Sequence, residues 1–281
     1  MSNVARNHKD NVFCLLYREK KNLLSLYNAV NDTFYEDEEE LEVVTLKEAI
    51  CLRIKNDAAF VIDSRLNLYE QQATTNPNMP LRDLYYVVEE LKKIVPLNSL
   101  YTTVKAKIPA PHFVVFYNGI AKQPERQTYK LSDLFYQKEK QPELELIVTV
   151  ININKGCNTE LLEKCESLKG YTTFVEKVRG KRAAEMELED AVRQAVKECI
   201  SENILSDFFE EYREEIVEVG MFEFNQELHD KTLFEDGAIT GIRIYQELQK
   251  GTRDNMKIAE ACGCTIEEVE KIRKQLNSQI D

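Results

Sequence analysis

Residues Asp57 to Gln72, DAAFVIDSRLNLYEQQ, constrain the fold more than any other stretch of the chain. Two strand-prone runs, one around Phe60-Val61-Ile62 and one around Leu66-Leu68-Tyr69, are separated by Asp63-Ser64. Asp and Ser are turn formers, although a primed two-residue turn prefers glycine. With Asp63 and Ser64 as the loop, the antiparallel register sets Asp57 directly opposite Glu70. Directly paired residues have Cβ atoms about 5 Å apart. Gln72, two residues beyond Glu70, shares its face. A one-residue slip would destroy this pairing, so the turn fixes the site as well as the hairpin.

Two carboxylates and an amide on one rim are oxygen donors of the kind a hard divalent cation takes. Their bland alternative is a hairpin that ends in solvated polar groups. Glu48 three residues after Thr45 reads first as a capping box and second as a third carboxylate for the same rim.

The hairpin sits within an alternation of strands and helices. Asn11 to Asn31 has apolar residues at helical spacing (Phe13, Leu16, Leu23, Leu26, Tyr27, Val30). Leu41, Val43 and Val44 suggest a short strand, and Thr45 opens a second helical segment. TTNPNMP reads as a loop, and Pro80 suits the first turn of a helix with the apolar stripe Leu81, Leu84, Tyr85, Val88 and Leu91. HFVVFY (112–117) and the run 144–153 read as buried strands, with a turn at Asn118-Gly119. This order predicts an α/β core of three layers around a mixed sheet over 1–156. Residues 157–222 have helical periodicity and no strand signal, which predicts a helical C-terminal extension. Residues 223–281 predict a small helical module. Within it NMKIAEACGCTIEEVEKIRKQL has a helix–glycine–helix layout, with Thr265 and Glu268 spaced as a capping box. Glu267, Glu268 and Glu270 at the start of its last helix argue for a degenerate helix-turn-helix or a packing hairpin rather than a reader of bases.

Charge and cysteines narrow the function classes. The net charge of −12 over 281 residues excludes a general electrostatic grip on nucleic acid but leaves room for a local basic groove. The acidic blocks 36–42 and 210–218 read as solvated faces. Lys105, Lys107, Lys122, Arg126 and Lys130 surround a strand, and Lys177, Arg179, Lys181 and Arg182 form the densest basic run. No run of about 18 apolar residues predicts a membrane span. The first residues lack the apolar core of a secretory signal, and the seven scattered cysteines have no disulfide or zinc pattern, so a reducing, cytoplasmic location is expected. Cys262 and Cys264 read as a buried pair.

The run KNDAAFVIDSRLNLYEQQATTNPNMPLRDLYYVV resembles the core of the PD-(D/E)XK nuclease family transposases, the recombination-promoting nucleases known as Rpn. The resemblance extends to LLSLYNAV, to IPAPHFVVFYNG and to ININKGCNTELLEKCESLKGYTTFVEKVR, about residues 8 to 215. It implies a restriction-endonuclease-like fold and Mg²⁺-dependent DNA endonuclease activity, with Mn²⁺ as an alternative ion. Carried over by position, Asp57 and Glu70 are the metal ligands, and Gln72 stands where the general motif has lysine. Asp57, Glu70 and Gln72 are then the catalytic set. Arg82 and Tyr86 also match, with Arg82 either binding phosphate or bracing the Glu70 strand. Glutamine can orient water or coordinate a metal but brings no charge, so more of the chemistry falls on the ion. The alternative is a catalytically inactive nuclease-fold protein that binds DNA or a protein partner; a purely structural helical protein is the third reading. Double-strand cutting needs two sites, which makes a homodimer compatible.

Overall fold

The computed structural model describes residues 11–44, 57–251 and 254–277, with residues 43, 44, 57, 222, 226–239 and 275–277 described by their backbone alone. Thr45 and Glu48, and the helical segment they were expected to begin, lie outside the described residues. The chain divides into two compact units, Met1–Phe224 and Asn225–Asp281.

The first unit is mixed α/β. Helices α1 (Val12–Leu16) and α2 (Lys20–Asn31) precede strand β1 (Glu42–Val44), and the hairpin is β2 (Asp57–Ile62) and β3 (Arg65–Gln72). Helix α3 (Met79–Ile94) leads to β4 (Ala110–Tyr117), β5 (Arg126–Lys130) and β6 (Ile147–Asn152). Helices α4 (Thr159–Lys164), α5 (Glu166–Ala183), α6 (Leu188–Ser201) and α7 (Ser206–Glu211) follow, and α8 (Arg213–Gln249) begins in this unit.

The strands form one sheet in the order β1-β2-β3-β4-β6-β5. The pairs β3–β4 and β4–β6 are parallel, and the remaining pairs are antiparallel. Buried on both faces, β3 splits its side chains by parity. Leu66 and Leu68 join the cluster beneath α3, with Met79, Tyr86, Val87, Phe113, Val115 and Val150. Tyr69 joins the cluster on the opposite face, with Phe13, Tyr27, Phe60, Phe116 and Ile151. Helices lie on both faces, which is the three-layer arrangement that the strand and helix order predicts.

Four differences from the sequence reading have physical causes. The predicted helix 11–31 is two helices, because Asn22 Nδ2 takes the Leu16 carbonyl at 3.2 Å and Tyr17 turns inward to Ser167 Oγ at 3.3 Å. The edge strand β5 was missed because its residues, RQTYK, alternate exposed and half-buried with no apolar run. The stretch 157–222 is no separate extension: Leu168, Phe174 and Val178 of α5 and Val192 and Val196 of α6 share one core with Phe116 and Ile151 of the sheet. The basic run in α5 is largely spent within this packing. Lys177 Nζ meets Glu202 at 2.7 Å, Lys181 Nζ meets Glu198 at 2.5 Å, and Arg182 donates to the Met186 carbonyl at 2.6 Å.

The fourth difference is the rotation of α3. Of its expected stripe, Leu81, Tyr85 and Val88 are exposed, while Leu84 and Leu91 are half-buried against the core. Met79, Asp83, Tyr86, Val87 and Glu90 face the sheet instead.

A buried polar chain crosses the other side of the unit. Asn11 Nδ2 donates to Gln71 Oε1 (2.6 Å), Gln71 Nε2 to Asn118 Oδ1 (2.6 Å), Asn118 Nδ2 to the Tyr171 hydroxyl (2.8 Å), and that hydroxyl to Glu223 Oε1 (2.9 Å). It ties α1, the end of β3, the β4 exit and α5 together, and burial followed by the neighbouring Glu223 carboxylate pushes the Tyr171 phenol well up.

In the second unit, α9 (Asn255–Cys262) and α10 (Ile266–Asn277) pack with Ile244 and Leu248 around Ile258, Ala259, Cys262 and Val269. Gly263 closes α9 at φ 68°, a left-handed cap that suits glycine. The capping box is reciprocal: Thr265 N donates to Glu268 Oε2 at 2.8 Å, and Glu268 N donates to Thr265 Oγ1 at 3.2 Å. Cys262 is buried and Cys264 is half-buried. Glu267, Glu268 and Glu270 are exposed, an acidic face that repels phosphate.

Candidate active site at the carboxyl rim of the sheet

The β2–β3 turn has both central residues at positive φ, Asp63 at 48° and Ser64 at 58°, as a primed two-residue turn requires. That turn fixes the register: Asp57 pairs with Glu70, Ala59 with Leu68, and Val61 with Leu66. Glu70 therefore follows two leucines on one face of β3, at the point where the apolar face meets the carboxyl ends of the parallel strands. Gln72, Tyr117 and Asn152 are register partners across β3, β4 and β6 and mark that rim. Open α/β sheets bind ligands at the carboxyl ends of their strands.

Glu70 is 5% exposed. Gln72 Nε2 donates to Glu70 Oε1 at 2.9 Å and also meets Met79 Sδ at 2.9 Å. The Arg82 guanidinium forms an ion pair with the same carboxylate through Nη2, and Arg82 Nε donates to the Tyr86 hydroxyl at 3.1 Å. The Arg82 side chain is only 10% exposed, and its contacts with Glu70 and Tyr86 are compatible with the bracing role. These contacts explain the rotation of α3. Its first turns are anchored through Met79 and Arg82 to the polar end of β3, which turns the next inward positions, 83, 86, 87 and 90, onto the sheet.

Asp83 is the site residue that sequence reasoning missed. It is 4% exposed and lines one cleft with Glu70, Tyr86, Leu68, Val114 and Val115. Burial first, and the Glu70 carboxylate second, hold its carboxyl well above the usual range, against the opposing pull of Arg82. A signal was present: Met79, Asp83, Tyr86 and Glu90 recur at helical spacing, but two of the four are acids, so the all-apolar stripe won.

The rim is narrow because of Gly119. A Cβ there would lie 1.8 Å from the Ala73 carbonyl oxygen, so only glycine lets the β4 exit approach the β3 exit this closely. Asn154 Nδ2 ties the β6 exit to the Gly119 carbonyl at 2.9 Å. Lys122, Arg126 and Lys155 stand exposed beside these exits, a local group of cations in an acidic protein.

Asp57, Glu70, Gln72, Arg82 and Tyr86 thus belong to one region, Asp57 by its register position and the other four by side-chain contact. Among the described residues, no three His, Cys, Asp or Glu side chains gather as a metal cluster. No described helix is long and apolar enough to cross a membrane. No family model, curated protein or solved structure matches the chain.

Proposed function

We propose that the chain is a divalent-metal-dependent DNA endonuclease with a restriction-endonuclease-like core. The observation that carries this reading is the register that sets Asp57 across from Glu70, with Gln72 bonded to the Glu70 carboxylate at 2.9 Å. The resemblance to the PD-(D/E)XK transposases rests on these same residues, and the three-layer mixed sheet is the scaffold such a site needs.

The donors fit a hard cation. Glu70, Asp57 and Gln72 offer oxygen, and no histidine or cysteine belongs to the set, which suits Mg²⁺ or Mn²⁺ better than zinc. Bound there, such an ion would lower the pKa of a coordinated water and offset charge on the scissile phosphate.

The protein's own contributions follow from the contacts. Gln72 fixes the orientation of Glu70 by donating to Oε1. Arg82 offsets the charge of Glu70 and ties α3 to β3. Lys122, Arg126 and Lys155 are exposed on the same rim and can take backbone phosphates on either side of the scissile one. The apolar wall of Leu68, Val114 and Val115 keeps the inner side of the site dry, which strengthens each of these interactions.

A second reading has one observation of its own. Arg82 already occupies a Glu70 oxygen that an ion would use, which favours a nuclease-fold protein that binds DNA without cutting it. Nicking of supercoiled plasmid with Mg²⁺ or Mn²⁺ separates the two. The endonuclease reading requires metal-dependent nicking that disappears in Glu70→Ala and Asp57→Ala.

A further inference from the structure

We infer that the outer face of α3, together with the segment 94–108 that follows it, is the surface through which two copies of this chain associate as a dimer. The inference does not depend on the nuclease reading.

The face is defined by what α3 turns outward. Its buried side carries two acids, Asp83 and Glu90, while Leu81, Tyr85 and Val88 are exposed. Positions four and three residues apart are neighbours on a helix surface, so these three side chains form one stripe. Left in water, the stripe forgoes the burial that such side chains gain in a core or an interface.

The exposed apolar run continues past the helix. Ile94, Leu97, Leu100, Tyr101, Val104 and Ile108 extend it through the 3₁₀ turn Leu97–Tyr101 almost to β4. Among the described residues, half of the eighteen exposed large apolar residues fall between positions 81 and 108. Apolar residues scattered singly on a surface are ordinary, but a concentration of this kind marks an interaction site.

The area matches what a stable dimer needs. The nine side chains are between 39% and 84% exposed. At about 150 Å² or more for each, they present roughly 800 Å² of apolar surface. That exceeds the largest apolar patch of a typical monomer, about 300–600 Å², and it equals the share of about 800 Å² that each partner contributes to an interface of standard size.

Charge selects a second copy as the occupant. Two chains that each carry −12 repel one another wherever their acidic surfaces meet. This face brings the least acid to the contact. Residues 91–124 contain no Asp or Glu. Within α3, Asp83 and Glu90 are buried, and Glu89 is paired with Lys92 at 2.6 Å. A two-fold interface sets a patch against its own copy, so its centre must be apolar and free of uncompensated like charge. The stripe Leu81–Tyr85–Val88 meets that condition, and the exposed Lys105 and Lys107 are confined to the far end of the segment.

The test is sedimentation velocity of the full chain over a range of concentrations. The wild type is expected to sediment as a dimer, at twice the 32.7 kDa of one chain. Tyr85→Glu and, separately, Leu97→Glu are expected to weaken association by at least ~30-fold, because an anchor residue at a two-fold interface is lost from both sides. Tyr85→Ser combined with Val88→Ser should repeat the loss without added charge, and far-UV circular dichroism checks that each variant is folded. Phe34→Glu and Ile120→Glu change residues that are also apolar and exposed but lie outside the run, and they are expected to leave the dimer intact. A wild type that stays monomeric at every concentration, or a dimer that the Tyr85, Leu97 and serine variants leave intact, overturns the inference. Binding of a monomeric wild type to DNA or to lipid vesicles that is lost in Tyr85→Glu assigns the face to another occupant and overturns it likewise.

Discussion

Gln72 Nε2 donates to Glu70 Oε1 at 2.9 Å, so the amide two residues beyond the acid is bonded to that acid's carboxylate. Its amide oxygen is left for another partner. Gln72→Ala removes this restraint on the carboxylate, and metal-dependent nicking should fall by roughly tenfold, the scale on which groups that orient a metal ligand act. Gln72→Lys supplies a charge where glutamine has none and should retain or raise the rate. Initial nicking rates of the three proteins check both statements.

The Arg82–Glu70 pair predicts a stability effect. Both side chains are nearly buried, and removing Arg82 takes a cation away from a buried carboxylate. Arg82→Ala should destabilise the fold by about 3 kcal/mol. Arg82→Met combined with Glu70→Gln should cost less than the sum of the single changes, because the second change removes the buried charge that Arg82 offset. Urea denaturation of the single and double variants measures the coupling.

Asp83 predicts a pH dependence with a definite sign. Its folded carboxyl titrates well above the usual value, so the folded state holds a proton that the unfolded state has already released. The stability from this group is therefore complete below the unfolded pKa and is lost as pH rises toward the folded one. Asp83→Asn has no such loss. Its stability advantage over the wild type should be smallest at about pH 4 and grow as the pH rises from there, with urea midpoints as the readout. A constant difference across that range would count against the buried acid.

The rim cations predict how DNA is held. Lys122→Ala and Lys155→Ala should each weaken DNA binding uniformly across sequences and make its salt dependence shallower, by about one unit of slope for each phosphate no longer neutralised. Mn²⁺ affinity should be unchanged, because neither lysine lines the Glu70 cleft. Fluorescence anisotropy over a range of salt concentrations measures this.

Much of the first unit was legible in the sequence because hairpin register follows from a turn. Asp63-Ser64 fixed which residues oppose each other without glycine: both adopt positive φ, a conformation that Asp tolerates and Ser accepts here. The buried strands β4 and β6 announced themselves by apolar runs. What escaped detection was set by contacts between distant residues. The edge strand β5 has no apolar face to advertise. The rotation of α3 depends on Arg82 reaching Glu70, a pairing that hydrophobic periodicity ranks below a stripe of leucines and valines. Asp83 was hidden for the same reason, since a buried acid breaks the rule that apolar side chains mark the inner face. The packing of α5 and α6 onto the sheet was also invisible, because helical periodicity shows that a helix has an inner face but not what covers it.

The central claim is that Glu70 and the position opposite it bind a metal that cuts DNA. Its most direct test is nicking of supercoiled plasmid by wild type, Asp57→Ala and Glu70→Ala, each with Mg²⁺, with Mn²⁺ and with chelator. The account predicts nicking by the wild type that needs the metal and vanishes in both variants. Equal background in all three proteins, with or without metal, would contradict it.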